Sequence, residues 1–205
     1  MSSATTHIVD DDPAVRDALK WLLQSRDVES RTWESAQEFL AFAGRDLCGC
    51  VLLDVRMPGM SGIELFDRLR ALHCGLPVIF LTGHGDVPMA VKALKDGAFD
   101  FIEKPYDDNA LVDKVLAALD HDMKRSAREG SILMLRNRLE QLTQREQEVM
   151  HRILAGKLNK VIADELGIAM RTVEVHRSHI FEKMQVRSAV ELSQALGLLG
   201  DAPES

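Results

Sequence analysis

Four short apolar runs in the first 120 residues each stop on, or just before, a residue that can do chemistry. Residues 7–9 lead into Asp10-Asp11-Asp12, residues 50–53 into Asp54, residues 78–81 into Thr82, and residues 99–102 into Glu103 and then Lys104. A weaker, more polar strand is expected over 28–33. Between these runs the apolar positions follow a helical spacing, as in Val15, Ala18, Leu19, Leu22, or Ile63, Leu65, Phe66, Leu69, or Leu111, Val115, Leu119. Continuous apolar strands alternating with helices predict a parallel sheet covered on both faces, five strands with five helices. In such a sheet every strand's carboxyl end lies on one edge, where open α/β sheets bind ligands. Carboxylates, a hydroxyl and an ammonium are therefore expected to meet at one shallow site.

The bland reading of each residue has its own physics. Asp12 precedes Pro13 and a helical period, which is the signature of a helix N-cap followed by a first-turn proline. Aspartates are common at turns, so Asp54 alone would mean little. Asp10, Asp11 and Asp54 crowded together would repel unless a divalent cation sits among them, and hard oxygen donors with room for water suit magnesium.

Charge is divided unevenly. Residues 1–120 carry 12 Lys and Arg against 20 Asp and Glu, a balance of −8, while residues 121–205 carry 13 against 12, a balance of +1. An acidic front repels nucleic acid, and a near-neutral back can still hold a local basic surface. Three cysteines, Cys48, Cys50 and Cys74, are odd in number and too few for a disulfide framework, and Cys48 and Cys50 read as small buried hydrophobes. No stretch approaches the roughly 18 apolar residues of a membrane span, and residues 1–12 lack the pattern of an export signal, so a cytoplasmic protein is expected.

The stretches VDDD, LLDVRMPGMSGIEL and VIFLTGHGDVPMAVKALKDGAFDFIEKP together resemble the receiver domain of two-component response regulators, over residues 4–120. The resemblance implies a doubly wound sheet of order 2-1-3-4-5, phosphorylated on Asp54 by a sensor histidine kinase. It implies that Asp10, Asp11, Asp54 and the backbone carbonyl of Arg56 hold Mg²⁺ or Mn²⁺. Thr82 would bond the phosphoryl oxygens, Lys104 would pair with their charge, and Phe101 would be an aromatic switch moving with Thr82. Residues 86–95, 99–103 and 107–120 would form the pairing face of a homodimer. Arg56 and His84, two residues past Asp54 and Thr82, are read as tuning the phosphate's lifetime.

Residues 121–141 are charged and helix-favouring, with a possible break at Gly130-Ser131. Leu135, Leu139 and Leu142 form a stripe that can pack on a neighbour or on its own domain. Residues 142–197 read as short helices, with Gly156, Gly167 and Gly197 ending three of them; residues 198–205 read as a tail. On a helical wheel of MRTVEVHRSHIFEKM, Val173, Ile180 and Met184 make a core face. Arg171, Glu174, Val175, Ser178 and Glu182 make another, with the mixture of donors, acceptors and methyl groups a major groove requires. Residues 171–187 hold four Lys and Arg against two Glu, so composition alone does not establish DNA binding.

The stretch LTQREQEVMHRILAGKLNKVIADELGIAMRTVEVHRSHIFEKMQVRSAVEL resembles the LuxR-type helix-turn-helix effector domain, in its FixJ-like subgroup. It implies base contacts from Glu174, Val175 and Ser178 and phosphate contacts from Lys160, Arg171, Thr172, Arg177 and Lys183. Some relatives carry lysines where this chain has Glu174 and Ser178, so a different operator is expected. The whole reads as a bacterial transcription regulator rather than an enzyme, binding a two-fold-related site in double-stranded DNA and contacting RNA polymerase. Two rivals are a phospho-aspartate phosphatase, which needs an acid where Arg56 stands, and a receiver whose back half only docks a protein or RNA.

Overall fold

The computed structural model describes residues 4–44, 47–83 and 87–200, leaving out the side chains of Val87, Pro88 and Ala90; His84, Asp86 and residues 201–205 lie outside the described residues. The chain divides into two compact units, residues 1–126 and 127–205.

In the first unit β1 (Thr5–Val9), α1 (Pro13–Gln24), β2 (Ser30–Trp33), α2 (Ala36–Phe42), β3 (Gly49–Asp54), α3 (Gly62–Ala71), β4 (Val78–Thr82), α4 (Val87–Lys95) and β5 (Asp100–Glu103) alternate as the spacing predicts. The sheet runs β2-β1-β3-β4-β5 with every pair parallel. Side-chain alternation sorts the strands' residues into two cores. Val9, Val51, Leu53, Val78 and Phe80 face α2, α3 and α4. Ile8, Cys50, Leu52, Ile79 and Leu81 face α1 and the first part of α5 (Asp108–Glu140). All six residues of β3 are buried, which is why its sequence shows no polar alternation. Each fully buried Val, Leu, Ile or Phe contributes about 1.5–3 kcal/mol, so this central strand anchors the first unit.

Several boundaries differ from the sequence reading: β1 starts at Thr5 and β3 at Gly49, ahead of their apolar runs, β5 starts at Asp100 rather than at Phe99, and β2 is shorter than expected, starting at Ser30. α5 runs unbroken through Gly130 and Ser131 to Glu140. A glycine there costs about 1 kcal/mol in a helix, less than good helix formers on both sides supply. The Ser131 hydroxyl donates to the Ala127 carbonyl at 2.8 Å, inside the helical ladder.

The second unit holds α6 (Gln144–Leu154), α7 (Asn159–Leu166), α8 (Met170–Met184) and α9 (Ala189–Gly200). Gly167, in the left-handed conformation at φ 63°, ends α7 as expected, and Gly156 follows α6 at φ 71°. Gly197 does not end a helix; α9 continues past it to Gly200. Leu135 and Leu142, both buried, and Leu139 pack with Val149, Ile153, Ile162, Val173, Ile180, Met184 and Leu192. The leucine stripe thus covers its own domain.

Candidate phosphorylation site and nucleic-acid interface

Asp54 is the last residue of β3 and sits in register with Leu81, one before Thr82 on the adjacent strand. Its carboxylate is nearly buried and fully engaged: Oδ1 accepts from Lys104 Nζ at 2.6 Å and Oδ2 accepts from the Arg56 backbone N–H at 2.7 Å. Lys104 also donates to Asp10 Oδ2 at 3.1 Å, so one ammonium bridges carboxylates 44 residues apart in sequence. Asp10 is 2% exposed; its Oδ1 accepts from the Asp12 N–H at 2.9 Å, and Arg16 holds its backbone carbonyl at 2.8 Å. Asp12 caps α1 by accepting from the Ala14 N–H at 2.8 Å, the capping role read from Pro13.

The Lys104 backbone N–H donates to the Thr82 carbonyl at 2.7 Å, which ties the exits of β4 and β5 together just before a cis Lys104–Pro105 bond. Thr82 is buried and its hydroxyl donates to the Gly83 carbonyl at 3.1 Å. Phe101, half-buried, lies in register with Phe80 and packs on the α4 side of the sheet. Asp11 is exposed. It lines a cleft of about 660 Å³ with Val55, Arg56, Met57, Ile63 and Met89.

The loop after Asp54 returns to the sheet through Gly62, whose N–H donates to the Val55 carbonyl at 3.0 Å. A Cβ on Gly62 would lie 2.1 Å from the Asp54 carbonyl oxygen, so only glycine lets α3 start this close to Asp54. Ser61 and Glu64 close a reciprocal capping box on that helix start.

Electrostatics follow from the crowding. Burial pushes the Asp54 carboxyl above its ordinary range, against the opposing pull of Lys104 and with the help of the Asp10 charge. Burial alone would lower the Lys104 ammonium, but its hydrogen bonds and attraction to Asp54 and Asp10 raise it. Both shifts favour holding a proton, as a buried site with two carboxylates and one ammonium should.

The donor set at this edge, hard carboxylate oxygens beside an open cleft, suits a divalent cation such as Mg²⁺. Asp10, Asp11 and Asp54 less Lys104 leave two negative charges, which one divalent cation balances. Among the described residues no three acidic, histidine or cysteine side chains close into a metal cage. Magnesium keeps several waters and needs only one or two carboxylates, so such a cage is not required.

In the second unit, α8 buries Val173, Ile180 and Met184 and exposes Arg171, Glu174, Val175, Ser178 and Glu182, the division the wheel predicts. Thr172 and Lys160 are exposed; Arg177 is half-buried, its guanidinium 5.3 Å from the Phe181 ring centre. Lys160 and Arg177 share a groove with Leu158 and Met170. The Lys183 ammonium donates to Glu146 Oε2 at 2.7 Å and to the Gln141 carbonyl at 3.2 Å, an internal pairing that competes with the phosphate contact expected of it. Burial of Glu146 would raise its pKa, but the Lys183 and Thr143 hydrogen bonds bring it below the ordinary range. The sequence reading missed Glu146, although the Thr143-x-x-Glu146 spacing is a capping-box signal.

A sheet edge with an engaged aspartate and lysine, followed by a helix-turn-helix unit, defines a two-domain response regulator. Comparison with known proteins gives the family. Residues 6–116 match the response regulator receiver domain and residues 140–196 match the bacterial regulatory proteins of the luxR family. The chain is 50% identical to the C4-dicarboxylate transport transcriptional regulatory protein DctR of Rhodobacter capsulatus, over 94% of this chain and 98% of that one. It is 43% identical to the transcriptional regulatory protein FixJ of Rhizobium meliloti, over 94% of both. The solved structure of the response regulator StyR superposes with a TM-score of 0.89 at 42% identity, covering 96% of this chain and 99% of that one. The chain belongs to the FixJ-like transcriptional response regulators, with a receiver and a LuxR-type DNA-binding domain.

Proposed function

We propose that Asp54 accepts a phosphoryl group from a sensor histidine kinase and that this switches dimerisation and DNA binding. The observation that carries the reading is the Lys104 ammonium bridging Asp54 and Asp10 at the strands' carboxyl edge. An Asp54 oxygen forms the new O–P bond as the P–N bond of the kinase's phosphohistidine breaks, and the imidazole leaves with a proton. Before transfer, Lys104 neutralises part of the charge that would repel the incoming group, and the Arg56 N–H orients the carboxylate. Asp10, Asp11, Asp54 and the Arg56 carbonyl would hold Mg²⁺ or Mn²⁺, which when bound screens the phosphoryl oxygens. After transfer Lys104 follows the new charge, and the Thr82 hydroxyl exchanges its bond to Gly83 for one to a phosphoryl oxygen. Phe101 moves into the space Thr82 leaves, and the face of α4, β5 and α5 pairs two receivers. The chain does no turnover chemistry beyond slow loss of its own phosphate.

Two effector domains then read a two-fold-related operator in the cytoplasm, where the dimer contacts RNA polymerase. Glu174, Val175 and Ser178 address base edges; Lys160, Arg171, Thr172 and Arg177 address phosphates. No helix among the described residues is long and apolar enough to cross a membrane. The test is selection from random duplexes with and without a small phosphodonor plus Mg²⁺. One sequence should be enriched, more strongly with the phosphodonor, and Asp54→Asn should remove that gain. Equal retention of all duplexes in both arms would refute the reading.

A further inference from the structure

The recognition helix ends on a residue poorly suited to the position. Gln185, directly after α8, adopts φ 56°, ψ 45°, the left-handed conformation that favours glycine, whereas α7 ends on Gly167 in the same conformation. The backbone N–H groups of Gln185 and Val186 close onto the Glu182 and Phe181 carbonyls, and Arg138, in the last turn of α5, adds a clamp from outside the helix. Its guanidinium donates to the Gln185 side-chain oxygen and, at 3.4 Å, to the backbone carbonyl of Met184, the last residue of α8. That carbonyl is one of the acceptors a helix end leaves open, and a cation beside it also complements the helix dipole. Arg138 cannot drift, because Leu135 and Leu142 on either side are buried in the core that also holds Val173, Ile180 and Met184.

These contacts restrict α8 in complementary ways. The three core side chains fix its rotation, which decides that Glu174, Val175 and Ser178 face outward. Arg138 grips the terminal carbonyl and so fixes the position of α8 along its own axis. A base-reading constellation must be held to about half an ångström, and sliding the helix misaligns every contact together.

We propose that Arg138 is a positioning residue for DNA recognition, acting on base readout through the C-terminal end of α8 without touching a base. The inference rests on the DNA-reading function proposed above.

The test uses the full chain, the duplex that the wild-type protein selects, and a random duplex, with thermal melts alongside. Arg138→Gln should weaken the selected duplex about tenfold, the size of one mismatched base pair, and leave the random duplex and the salt slope unchanged. Arg138→Lys should recover little, since one ammonium does not reproduce a two-acceptor fork. Gln185→Gly, which relieves the backbone and leaves the Met184 carbonyl within reach of Arg138, should melt no lower than wild type and keep more selectivity than Arg138→Gln. Equal weakening of both duplexes with a shallower salt slope would make Arg138 a phosphate contact and overturn the proposal. So would unchanged selectivity in Arg138→Gln, or a larger loss of selectivity in Gln185→Gly than in Arg138→Gln. A wild-type chain that selects no duplex would sink the DNA-reading function and this inference with it; selection by wild type and Arg138→Gln alike would sink the inference alone.

Discussion

The imidazole of His7 lies 5.3 Å from the Phe39 ring centre and accepts from Trp33 Nε1 at Nδ1, 3.3 Å away. The proton must therefore sit on Nε2, which is buried and finds no acceptor among the described residues. Burial first, and the Arg31 charge second, lower the His7 pKa to about 4 from 6.5. Above pH 6.5 folded and unfolded chains both keep His7 neutral, so it has no pH effect there. Below it the unfolded chain takes up a proton the folded one refuses, and stability falls until about pH 4, by about 3 kcal/mol in all. His7→Leu should flatten this acid slope, read as melting temperature from pH 7 to pH 4.5; an unchanged slope would show that other groups set it. Asp54 works in the opposite sense. Its raised pKa means the folded chain holds a proton the unfolded chain has lost, so its penalty sets in as pH rises above the ordinary carboxylate value and persists at neutral pH. In a chelator, Asp54→Asn should melt higher than wild type at pH 7, with the difference shrinking toward pH 4. Added Mg²⁺ should stabilise wild type more than the variant.

At the scale of elements, the clearest features in the sequence were those with a local period. Strand runs leading into Asp10, Asp54 and Thr82 place these residues on one edge because parallel strands share one carboxyl end, and α8's two faces follow from helical spacing. What stayed hidden joins residues far apart or balances opposing local signals. Gly130 and Ser131 look like a break, yet the helix continues; Gly197 looks like a cap, yet α9 continues. Lys183 carries the charge a phosphate contact needs, but Glu146, 37 residues earlier, takes it. Asp122 is another long-range tie: its buried carboxylate accepts from the Gly49 N–H at 2.7 Å and from Arg125 at 2.6 Å, fastening α5 to the start of β3. Removing one partner of a buried charged network strands the others, so Asp122→Ala should destabilise the receiver by about 3 kcal/mol. Arg125→Ala should cost less, since the Gly49 N–H still reaches Asp122. Urea unfolding of both variants checks the order, and a reversed order would mean that the guanidinium, not the strand contact, holds α5.

For the whole molecule, the division of charge makes salt the most informative variable. The acidic receiver repels DNA, and on the function proposed above attraction would rest on the cations of α7 and α8, Lys160, Arg171 and Arg177, with Lys183 paired to Glu146. Each phosphate neutralised contributes about −0.9 to the slope of log affinity against log salt, so one effector domain should give roughly −3 and two engaged together roughly −5. If phosphorylation acts by pairing receivers, a phosphodonor with Mg²⁺ should steepen the slope from the first value toward the second on the selected duplex. Asp54→Asn should stay at the shallow slope under both conditions. Lys160→Ala and Arg177→Ala should each make the dimer's slope shallower by about 2, one contact per protomer, while Lys183→Ala should leave the slope alone and lower the melting temperature instead. A slope that does not respond to the phosphodonor while affinity rises would mean that phosphorylation frees or realigns an already paired effector domain; a slope that follows Lys183 would mean its pair with Glu146 opens on DNA.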